Sequence, residues 1–203
     1  SVSREFIEAS EQALRGLCER RFDEVDLLIV YVDGQVFGGH HVLTAVGVDR
    51  QGHKHVLGMA DGASENAAVA AALLEDLVAR GVKPDRRRLF VIDGSKALRR
   101  AIDTGFGAGQ PVQRCRAHKV RNVLGHLPEP LKDPVKATLK AAFRLSAPEG
   151  SARLEKQAQW REREYPSAAA SLREGLDGLF TVNRLGLSSS LSRCLMTTNL
   201  IES

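Results

Sequence analysis

Short apolar runs alternate with amphipathic stretches along the first 126 residues, and this alternation predicts the order of elements. Between Ser3 and Arg21, the residues Phe6, Ser10, Ala13, Leu14, Leu17 and Cys18 recur at three- and four-residue steps behind Ser3, which is placed to cap a helix. That spacing predicts an opening amphipathic helix that acts as a packing element. Leu27–Val32 is a continuous apolar run, too short for a helix and rich in strand formers, that stops at Asp33-Gly34. It predicts a buried central strand. His41–Val48 and Lys54–Met59 flank a segment in which Asp49 and Gly52 hold favourable turn positions, so the three runs predict an antiparallel meander. Ser64 then offers a cap for a helix over 65–80, with Val69, Leu73, Leu74, Leu77 and Val78 as its apolar stripe and Gly81 as its terminator. Arg88–Ile92 is a second short buried run, again closed by Asp-Gly, and Ser95 opens a helix to about Asp103. A strand at 112–114 and a helix from near Cys115 complete the order β-β-β-α-β-α-β-α.

From about Leu127 to Cys194 the strand-like runs stop. Pro128, Pro130, Pro134, Pro148 and Pro166 punctuate helical segments at 135–145, 149–164 and 167–180, which predicts an all-helical insertion. Met196–Ser203 opens one more helix behind a Thr or Asn cap and stops after a turn, the pattern expected of a truncated chain. The fold class is therefore α/β, divided into an N-terminal helix (1–25), the first part of a mixed-sheet core (26–126), the helical insertion (127–195) and the start of a last core helix (196–203).

Composition narrows the class. With 43% hydrophobic and 27% charged residues in a chain of 203, a soluble globular protein is expected. No apolar stretch approaches the roughly 20 residues that span a bilayer, and the polar start lacks a signal-peptide core, so no membrane association and a cytoplasmic location are expected. Cys18, Cys115 and Cys194 are odd in number and widely spread, against a disulfide framework. The formal charge is only +4, yet the stretch from Lys83 to Arg121 holds eleven basic residues against Asp85, Asp93 and Asp103. Such an excess suits a phosphate-binding face, and solvated helix faces are the alternative.

Asp33 and Asp93 each follow a buried run and precede a glycine. If a crossover helix makes the two strands parallel neighbours, both carboxylates emerge at one carboxyl edge, where open α/β sheets place their active sites. Paired carboxylates there repel unless cations lie between them, and hard oxygen donors suit Mg²⁺ or Mn²⁺. Glu202 is the candidate third acid for a two-metal site. A plain turn after a strand is the competing reading of each Asp-Gly pair. Cys115 and His118 form a Cys-x-x-His pair that also looks like half a zinc site, although no second pair has suitable spacing. Trp160, the one tryptophan, reads either as a core anchor or as a platform for an unpaired base. His40, His41, His53, His55 and His126 are assigned no site.

Val91–Leu98, Gln113–Leu124 and Thr197–Ser203 stand in the order of the second-Asp, Cys-x-x-His and terminal-Glu motifs of Mutator-type bacterial insertion-sequence transposases, and Phe37–Gly58 resembles that family's first hairpin. The resemblance runs from about residue 26 through nearly the whole chain. It implies an RNase H-like fold, with the helical insertion before the last catalytic acid. It further implies that Asp33, Asp93 and Glu202 bind two Mg²⁺ or Mn²⁺ ions and carry DNA cleavage and strand transfer. It places the Cys115–His118 pair beside the active site. His118, Arg114, Arg116, Lys119, Arg121 and Trp160 are the expected DNA contacts. The partners implied are transposon ends, target DNA and a second copy of the chain or more, in the nucleoid and with no small-molecule cofactor. A nuclease without strand transfer and a DNA-binding remnant are the rival readings.

Overall fold

The computed structural model describes residues 2–202, apart from the side chains of Val2, Ser3, Ser189 and Glu202. Helix α1 (Val2–Glu19) is followed by the strands β1 (Leu27–Phe37), β2 (His40–Asp49) and β3 (Lys54–Asp61). Helix α2 (Ala67–Ala79), strand β4 (Leu89–Ile92), helix α3 (Lys96–Phe106), strand β5 (Val112–Arg114) and helix α4 (Arg116–Leu124) complete the predicted order. The strands form one mixed sheet in the order β3-β2-β1-β4-β5. The chain divides into two compact units, residues 1–90 with 95–110 and residues 91–94 with 111–203, and β4 gives two residues to each. In the second unit β5 and α4 are bonded to the segments that follow them.

In the first unit β1–β2 and β2–β3 are both antiparallel, as the meander requires. The first strand is longer than its apolar run. It continues through Asp33-Gly34, paired with Thr44 and Leu43, and turns only at Gly38-Gly39. Those two glycines have φ of +55° and +86°, the left-handed values that a two-residue hairpin turn needs, whereas Gly34 does not. Asp33-Gly34 is thus strand and not turn. The second turn is as expected: Gly52 has φ +87°, and the Asp49 carboxylate accepts from the main-chain N–H of Gln51 and His53, both at 2.9 Å.

Helix α2 begins two residues later than the sequence predicts. Its cap is Asn66, whose side chain accepts from Ala68 and Val69, while the Ser64 carbonyl accepts from the Ser95 hydroxyl at 2.8 Å. Ser95 does cap α3, accepting from the Leu98 N–H. Leu73, Leu74 and Leu77 of α2 and Leu98 and Ile102 of α3 are buried in this unit, and the rings of Phe90 and Phe106 meet at 5.1 Å. The opening helix forms as expected, but its role as a packing element is corrected in part: Phe6 is 72% exposed, and Ile7 and Leu14 are exposed as well, while Leu17 is half-buried.

The second unit is helical beyond β5, with α5 (Glu129–Ala142), α6 (Ala147–Arg161), α7 (Pro166–Arg173), a 3₁₀ turn (Asp177–Phe180), α8 (Thr181–Arg184), α9 (Ser189–Cys194) and α10 (Asn199–Glu202). Pro134 does not punctuate: α5 starts at Glu129 with Pro130 in its first turn and runs through Pro134. A capping box of Ser146 and Glu149 opens α6. One core unites α4, α5, α6, α7 and the 3₁₀ turn, built on Val120, Leu139, Phe143, Leu154, Leu172 and Phe180. Gln113 of β5 is wholly buried, and its amide donates to Leu179 O and accepts from Val182 N–H, which stitches the strand to the 3₁₀ turn and α8.

Candidate active site

Asp33 lies inside β1, 1% exposed, with Val32 buried beside it and Thr44 opposite. Asp93 is half-buried in the turn between β4 and α3. Gly94, with φ +109°, gives that turn its shape, and a Cβ there would lie 2.6 Å from the Arg114 Cζ. Arg114 therefore buttresses the loop that carries Asp93. Glu202 falls in α10, and its side chain lies outside the described residues. Among the described residues no group of three or more His, Cys, Asp or Glu is arranged to hold a metal ion.

Three of the expected phosphate contacts are buried and spent on main-chain carbonyls. Arg114 donates to Glu174 O at 2.6 Å and to the Glu174 carboxylate at 3.1 Å. Arg116 donates to Leu179 O, to Phe143 O at 3.1 Å and to Asn183 Oδ1, with its guanidinium 4.6 Å from the Phe143 ring centre. Lys119, with no exposed surface, donates to Ser171 O and to Glu174 O at 2.8 Å. Phe143 and Glu174 cap the C-termini of α5 and α7. Helix C-termini leave carbonyls without intrahelical partners and attract positive charge, so these cations satisfy helix ends and do not face water. Burial lowers the Arg116 guanidinium to about 10. It lowers Lys119 to about 8, helped by Arg114 and opposed by Glu174.

Arg121 is exposed, at the rim of an open cavity of about 810 Å³ that also takes in Asn122, His126, Ser167 and Glu174. Trp160 is 70% exposed on α6 with the Arg161 guanidinium 4.1 Å from its ring centre, so it is not a core anchor. His118 is half-buried, and its Nδ1 lies 3.4 Å from the Thr198 hydroxyl. Cys115 is wholly buried and accepts from the same threonine. Burial pushes its thiol up, but the hydrogen bonds from His118 and Thr198 outweigh that and hold it below the usual 9.0.

Residues 21–203 match the family described as Transposase, Mutator family. The chain belongs to that family. It is 31% identical over 167 residues to the transposase for insertion sequence element IST2 of Acidithiobacillus ferrooxidans, covering 80% of the chain and 54% of the relative. It is 30% identical over 189 residues to a probable insertion-sequence transposase of Corynebacterium diphtheriae, covering 86% and 52%. A third relative, the transposase for insertion sequence element IS1081 of Mycobacterium tuberculosis, is 33% identical over 108 residues, covering 52% and 25%. The chain thus spans about half the length of the first two relatives.

In this Mutator-family chain the Cys-x-x-His pair sits at the junction of β5 and α4, with Cys115 in the N-cap position of α4. The link from Cys115 and His118 to Thr198 crosses about 80 residues of sequence and was invisible in the motif. The pattern Thr-Thr-Asn offered a Thr or Asn cap for the last helix, and the hydroxyl of Thr198 turns to Cys115 and His118. Among the described residues no helix is long and apolar enough to cross a membrane.

Proposed function

We propose that this chain is the catalytic core of an enzyme that cuts DNA at the ends of a mobile element and joins them to target DNA by direct phosphoryl transfer. The observation that carries the reading is the family match, which spans Asp33, Asp93 and Glu202 in that order. The mixed five-stranded sheet followed by helices is read as RNase H-like, with β1 and β4 as the strands that bear the two aspartates. A carboxylate as buried as Asp33 is costly to ionise unless donors or cations meet it. Three carboxylates are a hard-oxygen donor set, suited to two Mg²⁺ or Mn²⁺ ions. When bound, such ions would activate the attacking oxygen and stabilise the leaving one.

The chain's own residues would do the rest. The strand position of Asp33 fixes its carboxylate, and the turn at Gly94, braced by Arg114, fixes that of Asp93. His118, Arg121 and Trp160, each with solvent-exposed surface, are the groups proposed to meet DNA, Trp160 by stacking on an unpaired base. Two element ends must be held together, so a dimer or larger assembly on DNA belongs to the same reading.

The test is a titration of the chain with Mn²⁺ alongside a strand-transfer assay on labelled element ends. D33N, D93N and E202Q should each weaken Mn²⁺ binding by about a hundredfold and remove the joined product, with DNA binding kept. Unchanged Mn²⁺ binding in D33N or D93N would sink the proposal, and nicks without a joined product would convert it to a nuclease.

A further inference from the structure

Cys115 stands where three chain segments meet. Its main-chain N–H donates to the carbonyl of Ile92 at 2.7 Å, the last residue before Asp93. Its sulfur accepts from the Thr198 N–H at 3.3 Å and from the Thr198 hydroxyl at 3.4 Å. Next in sequence, Arg116 N–H donates to Met196 O at 2.9 Å. Thr198 opens α10: its carbonyl accepts from Ile201 N–H at 2.9 Å, and Glu202 ends that helix. One residue thus bonds on one side to the peptide that leads into Asp93 and on the other to the residue that starts the helix of Glu202.

Burial makes these contacts count. Thr198 has no exposed surface, so its two donors have no water to turn to and need acceptors inside the protein. A thiol is ordinarily a weak acceptor, but here it is held in place by β5 on one side and α4 on the other. His118, one turn along α4, places its Nδ1 at 3.4 Å from the Thr198 hydroxyl. The Cys-x-x-His spacing is what puts both side chains on one threonine.

We propose that Cys115 is a positioning residue, which sets the spacing between the Asp93 turn and the Glu202 helix through Thr198, with His118 holding the threonine in register. The proposal rests on Asp93 and Glu202 being the metal-binding acids. The anchoring itself is testable without metal.

Amide hydrogen exchange of the chain is measured peptide by peptide in C115A, C115S, T198V and T198S. C115A should speed exchange over 198–202 by about tenfold while the β1–β3 peptides keep their rates, and C115S, which retains an acceptor, should stay within about threefold of the parent. T198V should follow C115A and T198S the parent, so the test survives if one variant fails to fold. Unchanged exchange over 198–202 in both C115A and T198V overturns the anchor, as does a C115S rate equal to that of C115A. A Mn²⁺ titration then separates the two ideas. If D93N and E202Q bind Mn²⁺ as the parent does, the metal reading falls and the anchor is judged by exchange alone. If they lose Mn²⁺ while a loosened C115A binds it as the parent does, the positioning role is overturned.

Discussion

Lys119 offers the sharpest check on the idea that this chain's buried cations serve its helix ends. Its ammonium has no exposed surface, sits near the Arg114 guanidinium and bonds to the carbonyls of Ser171 and Glu174. Burial comes first among the causes that lower its pKa from 10.5 to about 8. A base with a depressed folded pKa penalises the folded state wherever it is charged in both states, which is below about pH 8. As pH rises from about 8 to 10.5 the folded protein gives up its proton first, and the penalty fades. The shift corresponds to about 3 kcal/mol of stability regained across that window. Lys119→Met carries no such group, so the stability of the parent minus that of K119M should grow by about 3 kcal/mol between about pH 7.5 and 10.5. Urea unfolding followed by far-ultraviolet circular dichroism measures it, because the exposed Trp160 is a poor reporter of the core. Every other group is common to both proteins and cancels in the difference. Two curves that stay parallel to within about 1 kcal/mol would refute the buried-ammonium account, since a group in water keeps its ordinary pKa.

Three further outcomes follow from other parts of the molecule. The Asp49 carboxylate, bonded to His55 Nε2 at 2.8 Å and to two main-chain N–H groups, is held at about 2 against an ordinary 3.8. Asp49→Asn should therefore be less stable than the parent at neutral pH, with the difference vanishing as pH falls through about 2 in acid-unfolding curves. Arg116→Lys loses the planar fork that serves Leu179, Phe143 and Asn183 and should cost about 2–4 kcal/mol by urea unfolding. It should leave the salt dependence of DNA binding unchanged, whereas Arg121→Ala should reduce that slope by about 1. Gly94→Ala combines positive φ with a clash against Arg114 and should cost about 2 kcal/mol or more, against about 1 kcal/mol for Gly52→Ala, which meets open space. Equal losses at the two glycines in thermal unfolding would show that Arg114 does not brace the Asp93 turn.

The parts of this fold that the sequence announces are those where a local pattern and its physical cause coincide. Leu27–Val32 and Leu89–Ile92 read as buried strands because an uninterrupted apolar run of that length has nowhere else to go. The Asp49–Gly52 turn and the Ser95 cap were legible because the same residues that make them also name them. The end of β1 was not, since Asp33-Gly34 spells a turn, and only the competing Gly38-Gly39 pair with its left-handed geometry decides where the strand reverses. The opening helix shows the same limit in another form. Its period is visible, but what covers Phe6 and Leu14 is not a property of the period.

The basic stretch shows most clearly why charge in a sequence does not locate a binding face. Eleven cations between residues 83 and 121 invite a phosphate surface, yet Arg88, Arg114, Arg116 and Lys119 are buried. Composition records that a side chain carries donors; it does not record whether those donors meet water, a phosphate or the carbonyls at a helix end some 60 residues away. A chain of short helices multiplies such ends, because every helix leaves several carbonyls unsatisfied whatever its length. Among the described residues the region after α4 holds seven helical elements, three of them only four residues long, and it draws its donors from β5 and α4. On this account Arg114, Arg116 and Lys119 are fixed by the architecture of the helical segment, and of the residues proposed to meet DNA, Arg121 and Trp160 are exposed and His118 is half-buried beside Cys115 and Thr198.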